Sequence, residues 1–219
     1  MKKETAVIFI HGTPGSADAF FDYLKDTILR DKFSLITFDR LGYGYSNYGK
    51  PELNIAMQAR AIKSLAATYK NTIFVGHSYG GPIAVEALLQ NNNANACLLI
   101  APTLFPHKEK FYGVSKITSS KVGKLLVSDA IYVASEEKIN HENALKMVVT
   151  NWKNIKKKIV YIHSKDDDIV PYQINYEYLK ILFPNAQLDT ITLEEGNHFL
   201  PWNNHELIRE KLLELGNTE

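Results

Sequence analysis

The 219-residue chain holds one cysteine, three methionines and almost no net charge, 25 lysines and arginines standing against 24 acidic residues. A lone cysteine excludes an internal disulfide framework. Cys97 lies in the apolar run Ala96-Cys97-Leu98-Leu99-Ile100 and reads as core packing rather than as a nucleophile. Balanced charge gives no reason to expect nucleic acid or an anionic membrane as the main partner; a small neutral ligand fits better. No run approaches the ~18 apolar residues of a membrane span. Met1-Lys2-Lys3-Glu4-Thr5 passes straight into Ala6-Val7-Ile8-Phe9-Ile10, too short for a signal h-region, so the expected location is the cytoplasm. Internal repeats and low-complexity tracts are missing, and no histidine, cysteine and carboxylate set has metal-ligand spacing. Asp166-Asp167-Asp168 lacks the glycine and glutamate that complete a calcium loop, so neither metal nor cofactor is expected.

What is present centres on Thr72-Ile73-Phe74-Val75-Gly76-His77-Ser78-Tyr79-Gly80-Gly81. A β-branched and aromatic run stops at glycines that bracket a serine, and Ile83, Ala84, Ala87 and Leu88 then recur at helical spacing. Strand, sharp turn and helix would cross too closely for side chains at Gly76 and Gly80, and the turn would push Ser78 Oγ out over a sheet. The five-letter match is weak alone; the flanking strand and helix make it specific, and Ser78 is the candidate nucleophile.

Further apolar runs predict strands at residues 6–10, 33–38, 96–100, 158–163 and 188–193, separated by amphipathic stretches. Short continuous apolar strands alternating with helices indicate a parallel sheet covered on both faces, with ligands beyond the carboxyl ends of the strands. The first helix is expected to run to about Arg30 with Phe20, Phe21, Leu24 and Ile28 inward. The length suits one domain over residues 1–219. Residues 102–157 contain no comparable strand and read as an inserted helical cap, with a helix beginning at Ser135-Glu136-Glu137 and another within 122–132.

A serine nucleophile needs a base, and the base needs a group that fixes its tautomer. His198, in Glu195-Gly196-Asn197-His198-Phe199 after the last strand, is the candidate base. His77 adjoins the serine, but neighbours in a tight turn point apart; His11 and His163 read as structural, and His107, His141 and His205 as solvated. For the acid, Asp166, Asp167 and Asp168 follow the fifth strand, and only one of the three is needed.

In these segments the sequence resembles the α/β-hydrolase family over nearly its whole length. Gly76-His77-Ser78-Tyr79-Gly80-Gly81 is similar to the family's nucleophile elbow, His11-Gly12-Thr13-Pro14-Gly15 to its oxyanion loop, and Asp39-Arg40-Leu41-Gly42-Tyr43-Gly44-Tyr45-Ser46 to its D-x-x-G-x-G-x-S segment. Asp167-Asp168-Ile169-Val170-Pro171 matches the family's D-x-h-h-P acid motif, h being apolar, which selects Asp167, and the order Ser78, Asp167, His198 is the family's. The resemblance implies acyl transfer to water, with the backbone N–H groups of Thr13 and Tyr79 as the oxyanion hole. Two departures stand out. Only five residues precede the first strand, so a six-stranded, mostly parallel sheet without the family's N-terminal strand pair is expected, and Ser164 stands where many relatives have glycine.

The expected substrate is a small or medium carboxylic ester bound by a monomer or homodimer, with Phe105, Phe111, Tyr112 and Trp152 offering an apolar inner wall to the cap. A second reading is a prolyl aminopeptidase-like peptidase, in which Glu109, Glu136, Glu137 or Glu142 would hold a substrate amino group. Thioesterase, lactonase and carbon–carbon bond hydrolase chemistry would share the triad. From another class, a ligand-binding protein with a residual triad would carry the same residues.

Overall fold

The computed structural model describes residues 2–105 and 112–217. In chain order the elements are β1 (Thr5–Ile10), a 3₁₀ turn (Ala17–Phe20), α1 (Phe21–Lys25), α2 (Thr27–Lys32), β2 (Ser34–Thr37), α3 (Ile55–Ala66), β3 (Asn71–His77), α4 (Gly80–Gln90) and β4 (Ala94–Ile100). There follow α5 (Tyr112–Thr118), α6 (Lys121–Leu126), α7 (Asp129–Trp152), β5 (Lys158–Ser164), α8 (Tyr172–Leu182), β6 (Gln187–Leu193), α9 (Leu200–Asn203) and α10 (His205–Gly216). The six strands form one sheet in the order β2-β1-β3-β4-β5-β6, with every pairing parallel.

Alternate residues of each strand feed two apolar layers, as the two-residue period of a strand requires. Ile8, Ile10, Phe74, Leu99 and Tyr161 face α3, α4, the second half of α7 and α8. Val7, Phe9, Val75, Leu98 and Ile162 face Phe20, Tyr23 and Leu29 of the first crossover and Ile208 and Leu212 of α10. Cys97 is wholly buried in the first layer, where burial pushes its thiol pKa up and keeps it protonated.

Three helical expectations need correction. The first crossover helix is broken at Asp26, whose carboxylate accepts the N–H groups of Ile28 at 2.9 Å and Leu29 at 3.1 Å and so starts a new helix there. That cap resets the helical face: Tyr23 and Leu29 are buried, whereas Phe21 and Ile28 are about half exposed, at 47% and 49%. Likewise, Ser135-Glu136-Glu137 begins no helix. Ser128 Oγ accepts the Ile131 N–H, α7 starts at Asp129, and the helix continues for 24 residues. The expected helix within 122–132 is divided at the same point, into α6 and the start of α7. The second half of α7 belongs to the core, because Leu145, Val148 and Trp152 lie in the layer that covers the sheet.

Ser78 turns the chain from β3 into α4 with φ +53. A Cβ on Gly76 would come 2.4 Å from Gly80 O, and one on Gly80 would come 2.2 Å from Ile10 O. Both collisions are with backbone, so neither is relieved by a rotamer change. Gly80→Ala is therefore expected to lower stability by about 3 kcal/mol or to prevent folding, read by thermal unfolding. Gly113→Ala, on an open face of α5, should instead be neutral or gain up to ~1 kcal/mol.

Candidate active site

The carboxyl ends of β1, β3, β5 and β6 deliver His11 to Ser16, Ser78, Asp167 and His198 to one edge of the sheet. A cavity of about 600 Å³ opens there, lined by Ser78, His198 and Thr13 among others. The elbow is held by backbone: Ser78 N–H donates to Ile100 O at 3.1 Å, and Ser78 O accepts the N–H groups of Gly81 at 2.9 Å and Thr103 at 3.2 Å. Tyr79, buried beside Ser78, stands at the start of α4.

Asp167 meets four donors. Its Oδ1 accepts the N–H groups of Ile169 at 2.9 Å and Val170 at 2.8 Å, which fixes the carboxylate on its own turn. Oδ2 lies 2.7 Å from His198 Nδ1 and 2.9 Å from His163 Nε2. Burial would raise the carboxyl pKa, but the hydrogen bonds from His163 and His198 overcome it and hold the group below the usual carboxylate range. A carboxylate only accepts, so His198 carries its proton on Nδ1 and leaves Nε2 with a free lone pair. Of the three adjacent carboxylates, Asp167 is the one bonded to His198.

Two histidines take part beyond what the sequence suggests. His163 Nε2 donates to Asp167 and also reaches Val170 O at 3.1 Å, while its Nδ1 accepts the Tyr161 hydroxyl at 2.5 Å. His77 Nε2 donates to the backbone carbonyl of His198 at 2.9 Å, its ring lies 4.8 Å from the His198 ring, and Trp202 meets it edge-on. Burial, then the neighbouring His198, lower the His77 pKa to about 3. His11 is also lowered by burial, with Arg40 adding to the effect. His141, expected in solvent, is buried against the Tyr79 ring with Nε2 3.2 Å from Thr103 O. These roles have no local motif; they arise from strands that are adjacent only in space.

The Ser164 departure is accommodated. Its side chain is fully buried, and Oγ accepts the Asp166 N–H at 3.2 Å, bracing the turn that carries Asp167.

Of the residues expected to form the apolar wall, Trp152 and Phe105 lie elsewhere. Trp152 is fully buried beneath α4, donating Nε1–H to Glu86 at 2.6 Å and stacking on Phe183. Phe105 packs edge-on to Tyr178, 4.3 Å between centroids, and its N–H donates to Asn175. Phe111 lies outside the described residues, as do His107 and Glu109, and Tyr112 opens α5. Among the described residues Ile169, Val170, Phe199 and Trp202 line the cavity, with Lys138 of α7. Adjacency was a signal for Ile169, Val170 and Phe199, which closely follow the acid and base positions, but not for Trp202 or Lys138. Among the described residues no group of three or more His, Cys, Asp or Glu is arranged to hold a metal ion, and no helix is long and apolar enough to cross a membrane.

Comparison with known proteins bears on the same elements. A search of curated proteins gives no match. Solved structures with the same architecture include a lipase-esterase related protein from Clostridium acetobutylicum, 21% identical, TM-score 0.74, covering 98% of this chain and 95% of that one. An esterase from Exiguobacterium antarcticum is 18% identical, TM-score 0.71, over 100% and 94% of the two chains. A meta-cleavage product hydrolase from Pseudomonas fluorescens IP01 is 18% identical, TM-score 0.69, over 99% and 92%. At these identities the likeness shows the fold alone. The sequence profile of the alpha/beta hydrolase fold matches residues 5–117, more than half of the chain, from β1 through the elbow and into α5. The chain therefore belongs to the α/β-hydrolase family.

Proposed function

We propose that the chain is a serine hydrolase that cleaves a small or medium carboxylic ester through an acyl-enzyme on Ser78. The observation that carries this reading is the pairing of His198 with Asp167: Nδ1–H donates to Asp167 Oδ2 at 2.7 Å, which turns Nε2 into the proton-accepting nitrogen of a ring that lines the same cavity as Ser78. In the first half-reaction Nε2 takes the Ser78 hydroxyl proton as Oγ bonds to the ester carbonyl carbon. The carbonyl oxygen, now an oxyanion, receives the N–H groups of Thr13 and Tyr79. Collapse breaks the bond to the leaving oxygen, which takes the proton from the His198 imidazolium and departs as an alcohol. Water then attacks the acyl-enzyme while Nε2 takes its proton, and the acid leaves as that proton returns to Ser78.

An apolar wall of Ile169, Val170, Phe199 and Trp202 in a cavity of about 600 Å³ suits a modest acyl group, and the likeness to a lipase-esterase related protein and an esterase supports this. The peptidase reading loses one of its acidic candidates, because Glu137 is fully buried and occupied by protein donors. Thioesters remain an alternative substrate for the same residues.

The test is fluorophosphonate labelling together with hydrolysis of p-nitrophenyl esters of increasing chain length, for wild type and Ser78→Ala. Labelling and turnover should both disappear in Ser78→Ala, with at least a ~10⁴-fold loss of kcat. A wild type that does not label, or a variant that keeps turnover, would remove the reading.

The site also predicts an acid limit to stability. His77 and His11 stay neutral in the folded chain, while unfolded histidines take protons below about pH 6.5. The unfolded state then binds more protons, so stability falls as pH drops from about 6.5 toward about 3. Asp167, depressed in the fold, acts in the same direction at lower pH: its contribution is present above the usual carboxylate range and lost as pH falls through its folded value. Melting temperature should be level near pH 7–8, decline below about pH 6.5, and decline less steeply in His77→Gln; an identical acid slope in that variant would contradict the assignment.

A further inference from the structure

We propose that Glu137, on α7, is a positioning residue for the oxyanion loop, acting through Arg40 and Tyr43 on Gly12 and Thr13. The proposal rests on the reading of Thr13 N–H as an oxyanion donor.

Glu137 is fully buried, as is Arg40. Their contact is a two-pronged fork, Nη1 to Oε1 at 2.7 Å and Nη2 to Oε2 at 3.0 Å. Gln58 Nε2 donates to Oε1 at 3.1 Å and the Tyr43 hydroxyl to Oε2 at 2.7 Å, so the carboxylate has four donors. From this centre two lines run to the loop that begins at His11. Arg40 Nη2 donates to Gly12 O at 3.1 Å, and Arg40 N–H donates to His11 Nε2 at 3.0 Å. Tyr43 OH lies 2.6 Å from Thr13 Oγ1. Because the phenol proton goes to Glu137, which can only accept, the Thr13 hydroxyl donates to the phenol oxygen. The side chain of Thr13 is thereby fixed, and with it the residue whose N–H faces the reaction.

The second oxyanion residue meets the same guanidinium. The Arg40 Cζ lies 4.8 Å from the Tyr43 ring centroid and 5.1 Å from that of Tyr79, which follows the nucleophile. One cation therefore touches both donor residues, and one carboxylate from another layer of the fold sets its orientation. Burial would depress the Arg40 pKa, and Glu137 outweighs it and keeps the guanidinium charged; burial, then Glu137, push the Tyr43 phenol up, so its O–H stays a donor.

A buried ion pair is a poor device for stability alone, since apolar side chains of similar volume do as well or better, but it fixes geometry through direction and number of bonds. Here it converges on the two segments whose N–H groups must be aimed at one oxygen. Such aim is sensitive to shifts of less than 1 Å.

The experiment compares wild type with Tyr43→Phe, Thr13→Val, the double variant and Glu137→Gln. It measures kcat and KM on a p-nitrophenyl ester, the rate of fluorophosphonate inactivation, and melting temperature. Tyr43→Phe and Thr13→Val should each lower kcat and the inactivation rate about tenfold with KM within about twofold, and the double variant should be no worse than Tyr43→Phe alone, because that variant already lacks the contact that Thr13→Val removes. Glu137→Gln should lose more. Should it fail to fold, Tyr43→Phe still decides the matter, since it deletes only a hydroxyl. Full kcat in folded Tyr43→Phe, or losses that multiply in the double variant, would overturn the proposal, as would a lowered melting temperature with kcat unchanged. A wild type that neither labels nor turns over would remove the serine-hydrolase reading and this proposal together, whereas a labelling wild type with unaffected variants would remove this proposal alone.

Discussion

Three backbone segments meet at the elbow with no room for a side chain between them. Gly80 sits against Ile10 O, Gly76 against Gly80 O, and Ser78 spans the gap in a left-handed conformation. Van der Waals exclusion at this crossing sets the height of Ser78 above the sheet and the direction of α4. It also ties β1 to β3, so the loop after β1 is carried to the same point. Everything placed around Ser78 is measured from this contact, and no hydrogen bond elsewhere would restore it if it were pushed apart.

Around that fixed point the fold places two buried carboxylates with the same coordination logic. Asp167 takes two backbone N–H groups from its own turn and one nitrogen from each of His163 and His198. Glu137 takes two from Arg40 and one each from Gln58 and Tyr43. Each negative charge, costly to bury alone, is made tolerable by saturating its lone pairs, and saturation leaves it almost no freedom to turn. One carboxylate orients the imidazole; the other is joined through Arg40 and Tyr43 to the loop after β1. Removal of either would strand a buried partner, a situation that typically costs ~3–5 kcal/mol.

Much of this was legible in the sequence, for definite reasons. Buried parallel strands are short apolar runs, so the six strands were readable to within a residue or two, and Gly76, Gly80 and the D-x-h-h-P segment carry their constraints locally. What was hidden depends on cross-strand or cross-layer partners. Glu137 sits in the charged stretch Ser135-Glu136-Glu137-Lys138, which reads as a solvated helix face, and nothing nearby in sequence announces Arg40. His77 and His163 likewise gained their roles from His198 and Asp167, far away along the chain. The break at Asp26 was missed because an aspartate inside an apolar pattern looks like an exposed position rather than a new helix start. Trp152 read as a pocket wall because helical spacing alone cannot say which layer a stripe faces.

The course of α7 bears on the shape of the cavity. Two to three turns into α7 Lys138 borders the cavity and Glu137 is locked to Arg40, while at its end Trp152 is sunk beneath α4 and bonded to Glu86. The stretch of α7 from Glu137 to Trp152 is thus held at both of its ends, and any swing of it would expose Trp152 to water and separate a buried ion pair. That stretch forms a fixed side of the cavity, so the shape of the space beside Lys138 is set by the same buried contacts that hold the core together.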